Sequence, residues 1–281
     1  MTEKEYRSNP GISRSELWKL YDRNGGTPEK FLWEKSHPKS PTKEMLFGQI
    51  AHKLLLQPED FDSEFAVYPN VDRRTTEGKA AIAEFNATLD NRTPIDSDSY
   101  NKAVSMIESD DIKRIISSTN LLEGKREIPA FWTDPDTNEP CKCRFDLVGT
   151  AAGRYFILDY KTCSNASNDA FKKSAVDHGY YLQAAMYLEG FYQSNYEKSV
   201  LQAVNEDTCI PFIFLAQEKE EPFCCNIFIT DNESILKGYD IYRELLGKYH
   251  YCKESGNWYG YLGRDNILNT LDLPAWMKSG R

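Results

Sequence analysis

Two aspartates and a lysine stand where two neighbouring strand-like runs would bring them together. Over 141–148, alternation places Lys142, Arg144, Asp146 and Val148 on one face and Cys141, Cys143, Phe145 and Leu147 on the other. Over 154–161 it places Phe156, Leu158 and Tyr160 on one side and Ile157, Asp159 and Lys161 on the opposite one. Asp159 and Lys161 therefore project together from the end of an otherwise apolar strand. Hard divalent cations bind oxygen ligands, and Mg²⁺ takes one or two carboxylates with water and substrate phosphate. Such an ion offsets charge developing on a phosphate and activates a water, and a lysine beside it orients that water or helps neutralise the transition state. Taken alone, Asp-x-Lys is a common pattern with little weight.

The elements that must position these groups are legible around them. Strand-like runs at 125–132, 141–148 and 154–161 are joined by turn-rich stretches at 134–138 and 149–153, which predicts an antiparallel meander. Upstream, 43–56 reads as a helix, with Phe47, Ile50, Ala51, Leu54 and Leu55 on one apolar stripe and Gly48 and His52 along its edge. Ser13 and Glu16 form a capping box that starts a short helix through 17–21. Charged helical sequence occupies 76–118, and a long helix is expected over about 170–193, carrying Tyr180, Gln183 and Tyr187 beside an apolar stripe. Strand-like runs at 210–216 and 223–230, a helix over 232–252 and a Pro- and Trp-containing tail at 271–276 complete the pattern. Strands embedded between helices make an α/β (α+β) fold.

Four motifs in order carry a resemblance: Gly48-x-x-x-His52, Arg144-Phe145-Asp146, Asp159-Tyr160-Lys161-Thr162 and Tyr180-x-x-Gln183. With these the sequence resembles the PD-(D/E)xK nuclease superfamily, and within it the RecB-like and RecE-like exonucleases, most of all the exodeoxyribonuclease VIII (RecE) type of nuclease domain. The likeness spans most of the chain. It implies a restriction-endonuclease-like core, a central mixed sheet with an antiparallel meander flanked by helices, preceded by an N-terminal helical region. It also implies that His52, Asp146 and Asp159 ligate the metal, that the Tyr160 carbonyl completes the protein's share of the shell, and that Lys161 serves the nucleophilic water. Tyr180, Gln183 and Arg144 are the expected substrate contacts, Gln183 the firmest of them. Phe145 stands where the superfamily signature has proline.

Two further residues are weighed on their own. A histidine beside an apolar helix face is usually structural, and imidazole suits Mn²⁺ better than Mg²⁺, so the ligand role of His52 comes from the resemblance. Glu127, on the first strand of the meander with Pro129 and Phe131, is an acid behind the ligands, a ligand to a second metal, or a charge at a strand start.

Composition bounds the function. The chain has 281 residues, 40% hydrophobic, with a net charge of −9, and a pI near 5.1, which argues against a general DNA-coating protein. A cleft can still be locally basic, and a bound cation offsets clustered carboxylates. Seven cysteines, an odd number, all lie at or beyond Cys141 with no CxxC spacing, so reduced thiols are expected rather than zinc or disulfides. Nothing upstream supplies the cysteine that an iron-sulfur RecB-like nuclease needs, and no GxxxxGK[ST] phosphate loop is present. The polar start and the absence of a long apolar run predict a cytoplasmic protein without membrane partners.

These readings predict one nuclease domain over 1–281, with 1–120 mainly helical and carrying His52, 121–230 the catalytic sheet, and 231–281 the C-terminal helix and tail. The expected activity is Mg²⁺-dependent (Mn²⁺ as substitute) hydrolysis of DNA from double-stranded ends. By the resemblance it runs 5′ to 3′, leaves a 3′ strand for a single-strand annealing protein, and is carried out by a homo-oligomeric ring in phage or prophage recombination. The alternatives are a non-catalytic DNA-end-binding scaffold, an endonuclease on the same core, and an unrelated carboxylate hydrolase with Asp146 far from Asp159.

Overall fold

The meander forms because turn chemistry separates three alternating runs: β4 (Lys125–Thr133), β5 (Pro140–Ala151) and β6 (Arg154–Cys163). In the first turn the Asp134 carboxylate accepts from the backbone N–H and hydroxyl of Thr137 at 2.9 and 2.7 Å. In the second, Ala152 and Gly153 take positive φ values of 49° and 77°, the handedness that a tight hairpin requires. The computed structural model describes residues 3–196, 198–263, 268 and 271; the tail expected at 272–276 lies outside them.

Helices α1 (Glu3–Ser8), α2 (Arg14–Trp18), α3 (Pro28–Ser36) and α4 (Lys43–Leu56) open the chain, with strand β1 (Ile12–Ser13) between the first two. Short α5 (Phe61–Glu64) follows, and β2 (Phe65–Val67) and β3 (Thr93–Ile95), a separate parallel pair, flank α6 (Thr76–Ala87). Next come α7 (Ser97–Ile107) and α8 (Asp110–Ser118), and after β6 there are α9 (Asn168–Asp177), α10 (Tyr180–Tyr196) and α11 (Val200–Asn205). Strands β7 (Phe212–Glu218) and β8 (Cys225–Ile229) and helix α12 (Asn232–Ser255) close the order. The expected helix over 170–193 is two helices, because Gly179 at φ 65° breaks it. A Cβ there would also lie 2.6 Å from the Trp18 ring. The capping box at Ser13 and Glu16 forms as expected, with Ser13 N–H donating to Glu16 Oε2 at 3.0 Å.

The main sheet is mixed, in the order β1-β5-β6-β7-β8, with β4 on the other side of β5. Pairing β6 with β7 is parallel, so the chain must cross over between them, and α9, α10 and α11 do so. One face packs on α2, α10 and α12 through residues such as Ile157, Leu182 and Leu245, the other on α4 and its neighbours through Leu158, Ile50 and Leu215. The helices thus flank a central mixed sheet on both sides.

The site sits at a fork in this sheet. On one edge β5 pairs with β1 at 141–142 and with β6 at 147–151. Residues 143–146 between them have no ladder partner on that edge. β6 continues past the split, paired with β7 through Cys163. Strict alternation fails at this point. Cys141, Cys143 and Phe145 belong to the core under α10, whereas Leu147 belongs to the core under α4, and Val148 packs with the first group. The expectation that Phe145 and Leu147 share a face is therefore corrected: the pleat changes phase where β5 leaves β6.

Candidate active site

Helices from both layers reach the fork because the sheet is open there. From the α4 side, His52 Nε2 lies 2.9 Å from Asp146 Oδ2, and its Nδ1 lies 3.5 Å from Glu127 Oε1. Helix α4 is held in register by Thr42, whose side chain accepts from Met45 N–H at 3.2 Å, and by Ile50, Ala51, Leu55 and Leu56 in the core. Gly48 faces Thr162 of β6, where a Cβ would meet Oγ1 at 3.4 Å, an ordinary contact, so packing does not explain that glycine. From the other layer, Gln183 of α10 donates through Nε2 to Asp159 Oδ1. The backbone N–H of Tyr160 donates to Asp146 Oδ2 at 2.9 Å and ties the two diverging strands together.

Glu127 is placed by its backbone. It adopts φ 52°, opposite Asp146 across the β4–β5 pair, a left-handed conformation that costs a non-glycine residue about 1–3 kcal/mol and persists only where the surroundings impose it. The simple alternation with Pro129 and Phe131 does not hold there. Its carboxylate meets His52 on one side and Arg144 Nε at 2.7 Å on the other. Arg144 also lies 5.1 Å from the Tyr6 ring of α1. His52, Glu127 and Asp146 offer ligand atoms within 4.8 Å of one another.

Asp159 stands behind this triad, almost wholly buried, with Lys161 Nζ 2.5 Å from Oδ2. That oxygen is shielded from solvent, and the Lys161 ammonium is its close partner. Lys161 also lies 5.2 Å over the Tyr180 ring, which stacks on Phe214 at 5.3 Å. Tyr187 packs edge-on against Phe145 at 6.0 Å, as a core residue would.

The electrostatics follow from burial against paired charges. Burial and the Asp146 charge push Asp159 up to about 6 despite Lys161. Asp146 goes the other way: burial raises it, but the His52 charge and hydrogen bond, Lys161 and the Tyr160 N–H together hold it below the usual carboxylate range. Burial raises Glu127 against the pull of His52 and Arg144. His52 and Lys161 are both raised, because neighbouring aspartates outweigh the burial that opposes their charge. Three carboxylates thus share a shielded fork with Lys161, Arg144, Arg14 and His52. The two carboxylates and the imidazole that converge within 4.8 Å are a donor set that fits a divalent cation. His52, Glu127 and Asp146 are placed to hold it together, while Asp159, engaged by Gln183 and Lys161, falls outside that triad. Glu127 enters this set on geometry that sequence reasoning left open.

Arg14 is a neighbour that sequence reasoning passed over. It opens α2, donates to the His178 carbonyl and lies near Asp159, Tyr180 and Tyr187. Its only signal in the sequence is its place one residue after the capping Ser13.

Residues 17–269 match a family described as "PDDEXK-like domain of unknown function (DUF3799)". The chain belongs to this PDDEXK-like family. No curated protein matches it. A solved structure from Eubacterium rectale, described as a "Putative exonuclease", superposes with a TM-score of 0.57 over 100% of this chain and 99% of that one, at 13% identity. That likeness concerns the fold, and it agrees with a restriction-endonuclease-like core. A structure of SSO0001 covers 86% of this chain and 81% of its own at 12% identity, but its TM-score of 0.37 supports no argument. Among the described residues, no helix of this PDDEXK-like chain is long and apolar enough to cross a membrane.

Proposed function

We propose that this PDDEXK-like protein is a metal-dependent DNA exonuclease acting on double-stranded ends. One observation carries the reading: the fork gathers His52, Glu127 and Asp146 within 4.8 Å, beside a buried Asp159 whose Oδ2 lies 2.5 Å from the Lys161 ammonium. Mg²⁺, with Mn²⁺ as substitute, would supply Lewis-acid stabilisation of phosphate charge and a more acidic water. His52, Asp146 and Asp159, with the Tyr160 carbonyl, are the proposed ligands, and Glu127 joins them or holds a second ion. Lys161, kept protonated by two aspartates, orients the attacking water and offsets charge on the scissile phosphate. Gln183 fixes the rotamer of Asp159, Tyr180 walls Lys161 from solvent, and Arg144 can exchange Glu127 for a DNA phosphate. The fork excludes bulk water from one side, which strengthens each of these interactions.

The finer reading follows the RecE-like resemblance and the description of the Eubacterium rectale protein. Digestion runs 5′ to 3′, a homo-oligomeric ring encloses the DNA, and the 3′ strand passes to a single-strand annealing protein in the cytoplasm. Residues 1–281 form one nuclease domain. The test is digestion of linear duplex labelled at either the 5′ or 3′ terminus, with Mg²⁺, Mn²⁺ or EDTA, beside Lys161→Ala and Asp159→Ala proteins. Metal-dependent release of 5′-mononucleotides, lost in both variants and sparing closed circles, is the expected result. Cutting of closed circles would make it an endonuclease. End binding without cleavage under either metal would leave a non-catalytic scaffold.

A further inference from the structure

Helices α2 and α3 and the turn between them line an open cavity of about 770 Å³ whose walls include Trp18, Lys19, Glu29, Lys30, Trp33 and Glu34. This is within the few hundred to about 1,000 Å³ usual for small-ligand sites. Its charges cancel: two lysines face two glutamates, Lys19 pairs with Glu34 at 3.2 Å, and Lys30 Nζ donates to the Gly25 carbonyl at 2.8 Å. What remains distinctive is aromatic. The Trp33 indole is 54% exposed and stacks on His37 at 4.4 Å and 10°, which holds its ring in a fixed plane. Neutral walls with an oriented indole suit the π-face of a base and offer little to a phosphate.

The cavity is joined to the fork through α2. The Arg14 guanidinium lies 5.6 Å over the Trp18 ring and donates to the His178 carbonyl, two residues before the Tyr180 that walls Lys161. Arg14 Nε is shielded from solvent and has no hydrogen-bond partner. A buried donor without an acceptor is destabilising, more so when charged. An anionic oxygen arriving with a ligand would remove that cost.

We propose that the Trp18–Trp33 cavity is a nucleotide subsite, taking one unpaired base of the bound DNA strand with the adjoining phosphate on Arg14. This rests on the nuclease reading and adds to it a place where the strand is held by base stacking, independent of base identity, beside the reacting phosphate. Stacking on an aromatic side chain contributes about 1–3 kcal/mol per base, which is a five-fold or greater effect on binding.

The test measures binding of a fluorescent single strand of about eight nucleotides to the full chain with Ca²⁺ in place of Mg²⁺, so that an ion offsets the fork's carboxylates, over a time in which the strand stays intact. A second strand of equal length, abasic along its length, keeps the phosphates and removes the bases. Wild type should prefer the base-bearing strand at least five-fold. Trp33→Ala should lose that preference while binding the abasic strand as wild type does, and Trp33→Phe should restore most of it. Arg14→Ala should weaken both strands. The subsite is refuted if wild type shows no base preference, as it would were the cavity filled by the chain's own tail. It is refuted equally if Trp33→Ala keeps the preference or weakens both strands alike. Cleavage decides the parent reading separately: a wild-type protein that cuts no DNA with either Mg²⁺ or Mn²⁺ would overturn the nuclease assignment whatever the cavity does.

Discussion

Replacing Lys161 with methionine should separate two properties that active-site substitutions usually lose together. The ammonium lies 2.5 Å from Asp159 Oδ2, on a side chain 21% exposed. At an effective dielectric of about 20, unit charges about 4 Å apart interact by about 4 kcal/mol, or about 10³ in rate. Removing one preorganised donor from an enzyme costs about 10²–10³, so the single-turnover rate should fall by that factor. Affinity for the divalent ion should stay or rise, because the ammonium competes for the same oxygen. The fold should tolerate the change. Asp159 is already pushed up to about 6 by burial and by Asp146, so it takes up a proton instead of standing as a bare charge, and the loss stays below the roughly 3–5 kcal/mol of a broken buried pair. Asp159→Asn differs in sign on one axis, losing ion affinity along with rate. The assay is single-turnover digestion of end-labelled duplex, paired with calorimetric titration of Mg²⁺ or Mn²⁺ and circular dichroism as a folding check. A folded Lys161→Met protein within ten-fold of wild type, or one that loses ion binding as Asp159→Asn does, would refute the assignment of Lys161 to water and phosphate.

Three further outcomes are expected. His52→Ala leaves Asp146 and Glu127 facing each other without their shared partner, and should weaken Mn²⁺ binding about ten-fold or more; an unchanged titration would remove His52 from the ligand set. Gly179→Ala combines a strained φ of 65° with a Cβ 2.6 Å from the Trp18 ring, and urea unfolding should report a loss of about 1–3 kcal/mol, a loss under half that arguing against a rigid break between α9 and α10. Stability should depend on pH with two signs. Asp134, raised by burial but held down by Arg243 and Thr137, and Glu139, held down by Lys253 and His250, sit below their ordinary values of 3.8 and 4.5. Their contribution is therefore complete above about pH 5 and lost as pH falls through the lowered values. Asp159 and His52 are raised in the folded state, so in EDTA the Asp159 contribution is lost as pH rises from about 4 through about 6, and that of His52 at higher pH. Thermal melts in EDTA from pH 3 to 8 should peak between these limbs, and a flat profile on either side would discount the corresponding groups.

The regular parts of this molecule were legible because their rules are local. The Lys43–Leu56 helix follows from a 3.6-residue stripe, and the three strands of the meander from alternation between turns that Asp134 and Gly153 specify. The break at Gly179 was missed because a glycine inside an apolar-periodic stretch is compatible with an unbroken helix. What ends the helix there is the left-handed backbone and the Trp18 ring lying against it, and that contact is tertiary.

The site divides along the same line, for a reason that lies in the fork. Asp159 and Lys161 were readable because β6 keeps its pleat through them, paired with β7 to the end. Asp146 was readable as a residue but its surroundings were not, since alternation assumes a continuous ladder and β5 loses its partner on one edge at 143–146. Once the ladder opens, neighbouring side chains are no longer confined to opposite faces, and a helix from each layer can reach the gap. Glu127 became a full member of the cluster only through a positive φ that no alternation rule supplies, and Arg14 only through an N-terminal strand of two residues that docks α2 onto β5. The acidic net charge loses its force as an objection at this scale. It is a property of the whole surface, whereas binding of a phosphate depends on whether the carboxylates in the fork are neutralised by an ion when DNA arrives. If they are, the groups left facing the strand are Lys161, Arg144 and Arg14, and the fork presents cations to the DNA whatever the sign of the whole surface.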